Sequence, residues 1–243
     1  MAFDVLDSTN MALRRMVEAG TEAAEGLIVT AKAQTAGRGR LGRAWASPVG
    51  NLYASFLIES PEGFTRTPEL SFVAAVAVIA TIQVLLPDRG SDAALRCKWP
   101  NDVLFDGAKV SGILLETTHA PDSNGIFVVL GIGLNLVPVE LPQAPYPITS
   151  LAEHGGHVGR VQALEALAKQ LAHYLDVWRQ DGFAPIRQFW LDHAAGLSQT
   201  ISVQLPSEKL SGRFIEIDID GALVLQDSSG QHRRILAGDV TLS

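Results

Sequence analysis

The sequence lacks the cysteines that a disulfide needs. Among its 243 residues only Cys97 is a cysteine, so no bridge can form within the chain. This composition is typical of a reducing compartment, and we expect the cytoplasm. Because Cys97 lies in an apolar run, it is predicted to be a small buried residue.

An excess of positive charge is also lacking. The formal net charge is −7, which argues against a general attraction to nucleic acid or to an anionic membrane surface. The arginines that cluster between residues 38 and 43 are therefore a local feature. We expect neither a DNA partner nor a membrane partner.

No targeting segment and no convincing membrane span is visible. The N-terminal MAFDVLDSTN carries acids where a signal peptide needs a basic segment and an apolar core. The longest apolar run, residues 70–87, is slightly short for a span and contains polar residues. Thr67 and Pro68 are typical of an N-cap and first helical position, and Pro87 ends the run. We predict a buried helix packed against a sheet.

The rest of the first 196 residues mixes helices and strands, which predicts an α+β fold. Helices are predicted from Ser8 or Thr9 to Gly20, over about 162–180 and over about 183–194. The predicted strands are GLIVTAKA, NLYASFLI, LRCKW, DVLF, AKVSGILLET and GIFVVLGIGLNL, with a hairpin turn at Asp106-Gly107. Residues 140–160 are rich in Pro, Gly and His and are predicted to be a surface loop.

The pattern changes near Leu197 to short strands separated by turns. ISVQL, LSGRFIEID, ALVLQD and HRRILAG are the predicted strands, and Asp220-Gly221 is one of the turns. They predict a small β-barrel. We therefore divide the chain into a domain of residues 1–196 and a barrel of residues 197–243.

A glycine–arginine stretch follows the first predicted strand. Gly37, Gly39 and Gly42 satisfy the G-x-G-x-x-G pattern of dinucleotide-binding proteins, which requires a helix directly afterwards. Here Pro48 and Gly50 follow, and then another strand, so we reject that interpretation. The remaining alternatives are a mobile surface loop and a loop that wraps an anion.

The neighbours of the glycines favour the anion-binding alternative. Backbone N–H groups and the guanidinium groups of Arg38 and Arg40 suit carboxylate and phosphate, because arginine donates two hydrogen bonds at once. Gln34 and Thr35 before the glycines and Trp45 after them add polar and aromatic groups. We predict a loop that opens for substrates and is ordered by their charges.

Three further motifs carry polar residues at strand ends. In KWPND, Asp102 could hold Mg²⁺, or it could only help to form the turn by hydrogen bonding to the backbone. In KVSGILLE, Lys109 stands in an otherwise apolar strand and is either a cleft residue or an edge lysine that reaches solvent. In GIGLN, the glycines at 131 and 133 allow a flat group to approach the backbone or mark a bulge, and Asn135 could simply close the strand.

Taken together, these motifs resemble those of biotin protein ligases in order and in spacing. The five are STN at 8–10, QTAGRGRLGRAW at 34–45, KWPND at 98–102, KVSGILLE at 109–116 and GIGLN at 131–135. The resemblance covers almost the whole chain. The related lipoate ligases carry an arginine pair followed by three glycines, which is not found here.

The resemblance implies a fold of the class II aminoacyl-tRNA-synthetase-like type shared by biotin and lipoate ligases. This fold has a mixed, mainly antiparallel sheet with flanking helices and a C-terminal SH3-like barrel. Some biotin ligases also carry an N-terminal helix-turn-helix domain and act as repressors. The sequence begins a few residues before STN, so we expect a monofunctional ligase without that domain.

The resemblance also implies an ATP-dependent reaction in two steps. The carboxylate of biotin attacks the α-phosphate of ATP, which gives biotinyl-AMP and pyrophosphate. A lysine of a biotin carboxyl carrier protein then attacks the mixed anhydride and releases AMP. Mg²⁺ is expected on the phosphates, and a homodimer is left open.

Individual roles follow from the same resemblance. Lys109 and Arg40 are the implied catalytic residues, because fixed positive charge is needed where two anions meet. The implied biotin-binding residues are Ser8, Thr9, Asn10, Gln34, Gly37, Arg38, Gly39, Arg40, Lys109, Gly112, Gly131 and Gly133. The implied ATP-binding residues are Arg38, Arg40, Trp45, Lys98, Asn101, Lys109 and Asn135, with Asp102 as the candidate Mg²⁺ ligand.

Three alternatives stay open at this point. A lipoate or octanoate ligase of the same fold would activate a different acid. A nucleic-acid-binding regulator is the alternative from another class, although the acidic balance counts against it. A non-catalytic biotin-binding module would need neither Lys109 nor the arginines.

Overall fold

The structure, a computed structural model, describes residues 1–20, 24–60, 65–89, 94–121, 126–141 and 146–242. Its first part is built on a seven-stranded main sheet. The strands are β1 (Ala2–Leu6), β2 (Ile28–Gln34), β3 (Leu52–Ser60), β4 (Leu95–Lys98), β5 (Asp102–Phe105), β6 (Ala108–His119) and β7 (Ile126–Leu134), in the order β1-β2-β3-β7-β6-β5-β4. β1 and β2 are parallel and the other neighbours are antiparallel, which confirms the mixed, mainly antiparallel sheet.

In the part of the chain that the structure describes, four α-helices flank the main sheet. They are α1 (Thr9–Glu18), α2 (Glu69–Leu85), α3 (Arg160–Asp181) and α4 (Phe183–Asp192). The apolar run predicted to be a buried helix forms α2, which is buried on nearly all sides. It begins one residue later than predicted, with Pro68 as its N-cap. Within the described residues, no helix has the length and apolar character that crossing a bilayer requires.

The two faces of the main sheet are covered unequally. Phe56 and Ile58 belong to the large core that includes α2, α3 and α4, whereas Leu57 between them packs with Leu13 and Val17 of α1. This alternation is the two-residue period of a strand. Since α1 has only ten residues, it covers only part of its face and leaves room for a cleft beside its N-terminus.

The predicted hairpin is confirmed, whereas β1 is absent from our predictions. Asp106 and Gly107 both have positive φ, at 48° and 80°, as a two-residue turn of the favoured type requires. The segment AFDVL of β1 is short and largely exposed, so its own sequence gives little strand signal. It becomes a strand by pairing with β2, which is distant in sequence. Residues 140–160 include a short 3₁₀ helix at Leu151–His154 within the predicted loop.

The C-terminal part forms a second sheet of five antiparallel strands. They are β8 (Thr200–Gln204), β9 (Lys209–Ile217), β10 (Leu223–Gln226), β11 (His232–Ile235) and β12 (Asp239–Leu242), in the order β11-β10-β9-β8-β12. Four strands match the predicted segments, and β12 is an additional one. The barrel contacts the first part through Trp99, whose Nε1 donates to the Gly221 carbonyl at 3.1 Å.

Candidate active site

Three glycines form the floor of a cleft on the α1 face of the main sheet. Gly112 of β6 pairs with Gly133 of β7, and Gly131 lies two residues before Gly133 on β7. A Cβ on Gly133 would come within 2.6 Å of the Trp45 ring, and one on Gly112 within 2.8 Å. A Cβ on Gly131 would overlap the amide of Asn10. Two side chains of the protein itself, Trp45 and Asn10, thus approach these glycines closely. The approach of a flat ligand stays a prediction.

Trp45 limits the space above this glycine floor (Gly112, Gly131 and Gly133). The cavity that remains there measures about 80 Å³. Pockets for small molecules usually enclose roughly 300 Å³ or more. A bicyclic ligand can lie on the glycine floor only after the Trp45 side chain has moved away from it.

A chain of hydrogen bonds crosses from the start of α1 to β6. Gln34 Oε1 accepts from the Thr9 backbone N–H at 2.8 Å and faces its hydroxyl at 3.2 Å. The Ser55 hydroxyl lies 2.7 Å from Thr9 Oγ1 and 2.6 Å from Asn10 Oδ1. Asn10 Nδ2 donates to Glu116 Oε2 at 2.9 Å. Because these partners fix which atom of each amide faces which neighbour, the groups at this end of the cleft are held in one orientation.

Lys109 lines the cleft next to the glycine floor and is almost fully enclosed. Lys109 is 8% exposed, and its Nζ lies 2.6 Å from Asp102 Oδ1. The same Nζ lies 5.2 Å from the centroid of the Trp45 ring and 5.1 Å from that of Tyr146. Lys109 is thus a cleft residue and not an edge lysine, and a carboxylate and two aromatic faces stabilise its charge.

Residues 37–43, which we call the arginine loop, form a tight turn closed by the chain's own backbone. Gly39 N donates to the Arg43 carbonyl at 2.7 Å, and Trp45 N donates to the Gly37 carbonyl at 2.9 Å. Leu41 has a φ of 54°, unusual for a residue with a Cβ, and Gly42 continues the turn at 74°. Internal hydrogen bonds thus close the loop in the structure, and the expected ordering by substrates stays a prediction.

The three arginines of the loop point to different partners. Arg38 Nη1 lies 3.5 Å from Glu116 Oε1. Arg40 Nη1 donates to Asn101 Oδ1 and to the Gly238 carbonyl, both at 3.3 Å. Arg43 forms a close ion pair with Asp239 of the barrel. Arg38 thus contacts the main sheet, whereas Arg40 and Arg43 both contact the barrel.

Burial and nearby charge shift the pKa values of two of these arginines in opposite directions. Burial lowers the pKa of Arg40, and the nearby Asp239 carboxylate opposes that shift. The hydrogen bond to Asp239 raises the pKa of Arg43. An arginine stays protonated with shifts of this kind, so both remain cations for an anionic ligand.

Most of the residues predicted from the motifs line this one cleft. They are Ser8, Thr9, Asn10, Gln34, Arg38, Gly39, Arg40, Trp45, Asn101, Asp102, Lys109, Gly112, Gly131 and Gly133. Gly37, Lys98 and Asn135 do not line it. Gly37 is buried under the loop, where a Cβ would overlap the Trp45 carbonyl.

Lys98 and Asn135 lie in places that adjoin the main cleft. Lys98 lines a neighbouring cleft of about 430 Å³ that shares Asn101, Asp102 and Lys109 with the first. Burial lowers its pKa. Asn135 is buried, and its Nδ2 donates to the Thr149 carbonyl at 3.0 Å, so its side chain braces the neighbouring chain segment.

Several residues in or beside the cleft were given no role by the sequence analysis. Arg43 and Glu116 lie inside the quoted motifs, but no role was assigned to them. Tyr146 and Asp239 lie in segments without a motif, and Asp239 is 196 residues away from its partner Arg43. Nothing local in the sequence indicates such a contact.

Asp102 does not fit a resident magnesium site. Its carboxylate is engaged by the Lys109 ammonium at 2.6 Å. Within the described residues there is no group of three His, Cys, Asp or Glu side chains that could hold a metal ion. The carboxylate instead acts as the counter-ion of Lys109.

Two family models match the chain at the places where the two sheets lie. The biotin/lipoate A/B protein ligase family matches residues 2–135, and the biotin protein ligase C terminal domain matches residues 197–243. The chain therefore belongs to the biotin/lipoate A/B protein ligase family.

Comparison with individual relatives shows which kind of ligase within this family the chain resembles. The biotin–[acetyl-CoA-carboxylase] ligase of Paracoccus denitrificans is 38% identical over 208 residues, covering 84% of this chain and 85% of the relative. The Mycobacterium tuberculosis protein of the same name is 32% identical and covers 96% and 85%. A solved Aquifex aeolicus biotin protein ligase with biotin and ATP has a TM-score of 0.83 at 27% identity, covering 99% of this chain and 97% of that one. The chain is thus an enzyme of the biotin protein ligase type.

Proposed function

We propose that the enzyme activates biotin with ATP and transfers it to a lysine of a biotin carboxyl carrier protein. In the first step a carboxylate oxygen of biotin attacks the α-phosphorus of ATP. The bond to the β-phosphate breaks, so biotinyl-AMP forms and pyrophosphate leaves. In the second step the neutral amine of the acceptor lysine attacks the acyl carbon, AMP leaves and the amine loses a proton to solvent. We place this chemistry in the cytoplasm.

The observation that carries this proposal is the position of Lys109. It lies between the glycine floor and the arginine loop, where the carboxylate end of a ligand would meet the phosphates of a nucleotide. Two anions repel each other, and a fixed cation at their meeting point lowers that repulsion most in the transition state. Asp102 keeps the Lys109 side chain in place at 2.6 Å.

The residues above the glycine floor suit the ring system of biotin. Once Trp45 has moved, the floor leaves room for a flat bicycle between the sheet and the indole. The hydrogen-bonded side chains of Thr9, Asn10 and Gln34 lie along the same cleft, where a ureido group can donate and accept. Ser8 lines this end as well. We assign the biotin ring to this end of the cleft.

The nucleotide fits the opposite end. Arg40 lines the main cleft, Asn101 lines both the main and the neighbouring cleft, and Lys98 adds positive charge to the second. Asp102 pairs with Lys109, so a magnesium ion that arrives with ATP would be held by phosphate oxygens and would neutralise part of their charge. We also propose that residues 1–196 carry the reaction chemistry and that residues 197–243 close one side of this cleft.

The proposal is tested by mass spectrometry of the products. The protein is incubated with ATP, Mg²⁺ and biotin, and we expect pyrophosphate and biotinyl-AMP in equal amounts before any acceptor is added. Lipoate and octanoate are offered in parallel reactions. If lipoate or octanoate is activated in preference to biotin, that acid is the substrate instead. If no acyl-adenylate forms with any of the three acids, the proposed activity is overturned.

A further inference from the structure

The barrel reaches the arginine loop through two consecutive residues. Asp239 forms an ion pair with Arg43, and its Oδ1 also lies 3.8 Å from Arg40 Nη1. The carbonyl of Gly238 accepts a hydrogen bond from Arg40 at 3.3 Å. Two of the three loop arginines are therefore bound to one short stretch of the other domain.

This stretch of the barrel is held rigidly. Asp239 pairs with Gln204 in the register between β12 and β8. Gly238 packs so closely that a Cβ would come within 2.6 Å of Val203 Cγ1. Because the backbone at Gly238 and Asp239 is fixed by strand pairing and packing, it offers the loop a firm point of attachment.

The carboxylates around the cleft form ion pairs with different cations. Asp102 is engaged by Lys109, at 2.6 Å. Arg38 reaches Glu116 on the main sheet. Within the described residues, Asp239 is the carboxylate that the structure pairs with both Arg40 and Arg43.

We infer that Asp239 is a positioning residue that latches the arginine loop to the barrel and so retains biotinyl-AMP in the cleft. The inference rests on the proposed function, since it concerns how long the intermediate stays bound. The side chains of Arg43 and Asp239 are 45% and 38% exposed, and pairs of that exposure are weak enough to open and close. The latch can therefore release the loop when substrates enter or when the acceptor lysine arrives.

Loss of the latch should change the dissociation rate of biotinyl-AMP more than the rate at which it forms. Lys109 keeps its place at Asp102 when Asp239 is altered, because the two ion pairs share no residue. Because Asp239 also lines the cleft, we expect Asp239→Asn to form biotinyl-AMP more slowly, but by a smaller factor than the rise in its dissociation rate. We expect the bound intermediate to dissociate about two- to fivefold faster, the size expected for losing a part-exposed ion pair.

The experiment combines a chase with proteolysis of the loop. Biotinyl-AMP is formed from labelled biotin, excess unlabelled biotin and ATP are added, and the loss of label from the protein is followed. In parallel, proteinase K cleavage within residues 37–43 is measured by mass spectrometry without substrates. Asp239→Glu restores a carboxylate, and Arg43→Ala is tested alone and together with Asp239→Asn. Asp220→Asn is the matched control, because Asp220 pairs with Arg234 and does not line the cleft.

Four results support the latch when they occur together. Asp239→Asn releases label faster, its loop is cleaved faster, Asp239→Glu restores both rates, and the double variant is no faster than the faster single one. Unchanged release and cleavage in Asp239→Asn overturn the inference. Equal effects from Asp220→Asn also overturn it, since they would show a general loss of barrel stability. If no variant forms biotinyl-AMP, the proposed function fails, and the cleavage rates still decide whether Asp239 holds the loop.

Discussion

The two ends of the cleft are built by different interactions. At the hydrogen-bonded end, Thr9, Asn10 and Ser55 are buried, and together with the half-buried Gln34 they hydrogen-bond to one another at 2.6–3.2 Å. At the ion-paired end, the arginine loop is held by side chains that are partly open to water. Buried hydrogen bonds fix one geometry, whereas exposed ion pairs are easily exchanged for other anions. One end is thus suited to recognise a neutral ring, and the other to admit and hold phosphates.

The largest effect is expected from removing the cation between the two ends. Lys109→Ala should lower the rate of pyrophosphate release about a hundred- to a thousandfold, the usual result of losing one preorganised charge in a transition state. The rate is measured with ATP and biotin before any acceptor is added. Since the substitution leaves the enclosed Asp102 without its partner, circular dichroism must show that the variant is folded. Near-normal pyrophosphate release by the folded variant would remove Lys109 from the chemistry.

The next effect should appear at the hydrogen-bonded end. In Gly131→Ala the new methyl group would overlap the amide of Asn10, so the free energy of unfolding should fall by about 1–3 kcal/mol. Urea denaturation measures this change, and the affinity for biotin should fall with it. Gly159→Ala is the matched control, because nothing lies within 4 Å of its Cβ position. Equal stability of the two variants would show that Asn10 can move aside at no cost.

Arg40 tests the ion-paired end. Arg40→Gly removes the guanidinium contacts to Asn101 and Gly238 and adds a glycine to the loop, so closure costs more entropy. We expect biotinyl-AMP to form more slowly and to escape about tenfold faster, because a bidentate contact of the guanidinium to the anionic intermediate contributes about 1.5–3 kcal/mol. Released biotinyl-AMP should biotinylate serum albumin, whereas the parent enzyme should not. Complete loss of adenylate formation would make Arg40 part of the chemistry, and tight retention would show that the loop is not a lid.

The smallest effect should come from salt. Raising ionic strength from about 0.05 to 0.5 M screens the exposed pairs of the arginine loop but leaves the buried hydrogen bonds intact. The dissociation rate of biotinyl-AMP should rise about two- to threefold, and the affinity for biotinamide, which has no carboxylate, should stay constant. A chase experiment and calorimetry measure the two quantities. Equal salt dependence of both would mean that the ends do not differ as described.

The sequence predicted the site better where its residues are close together in the chain. STN, the glycine–arginine stretch and KWPND are each short runs of sequence, and the resemblance to biotin protein ligases assigned their residues to one site before the structure was known. β1 was missed because its strand character comes from pairing with β2. Asp239 was missed because Arg43 contacts it across 196 residues, and no local pattern records such a contact.

The position of Trp45 shows a further limit of motif reasoning. The resemblance assigned its side chain to the nucleotide end, which stays a prediction, and the structure lays it across Gly112 and Gly133. A glycine pattern indicates that something approaches the backbone closely, but it does not say whether a ligand or a side chain does so. Only the packing of the folded chain distinguishes the two.

Binding of biotinamide to three proteins tests the difference between the two ends most directly. The unaltered enzyme, Lys109→Ala and Ser55→Ala are compared by calorimetry. Removing the Ser55 hydroxyl leaves buried polar partners unsatisfied, so the affinity should fall by about 1–3 kcal/mol. Lys109→Ala should bind biotinamide as the unaltered enzyme does while releasing almost no pyrophosphate with biotin. Equal losses of biotinamide affinity in both variants, or a loss in Lys109→Ala alone, would contradict the account.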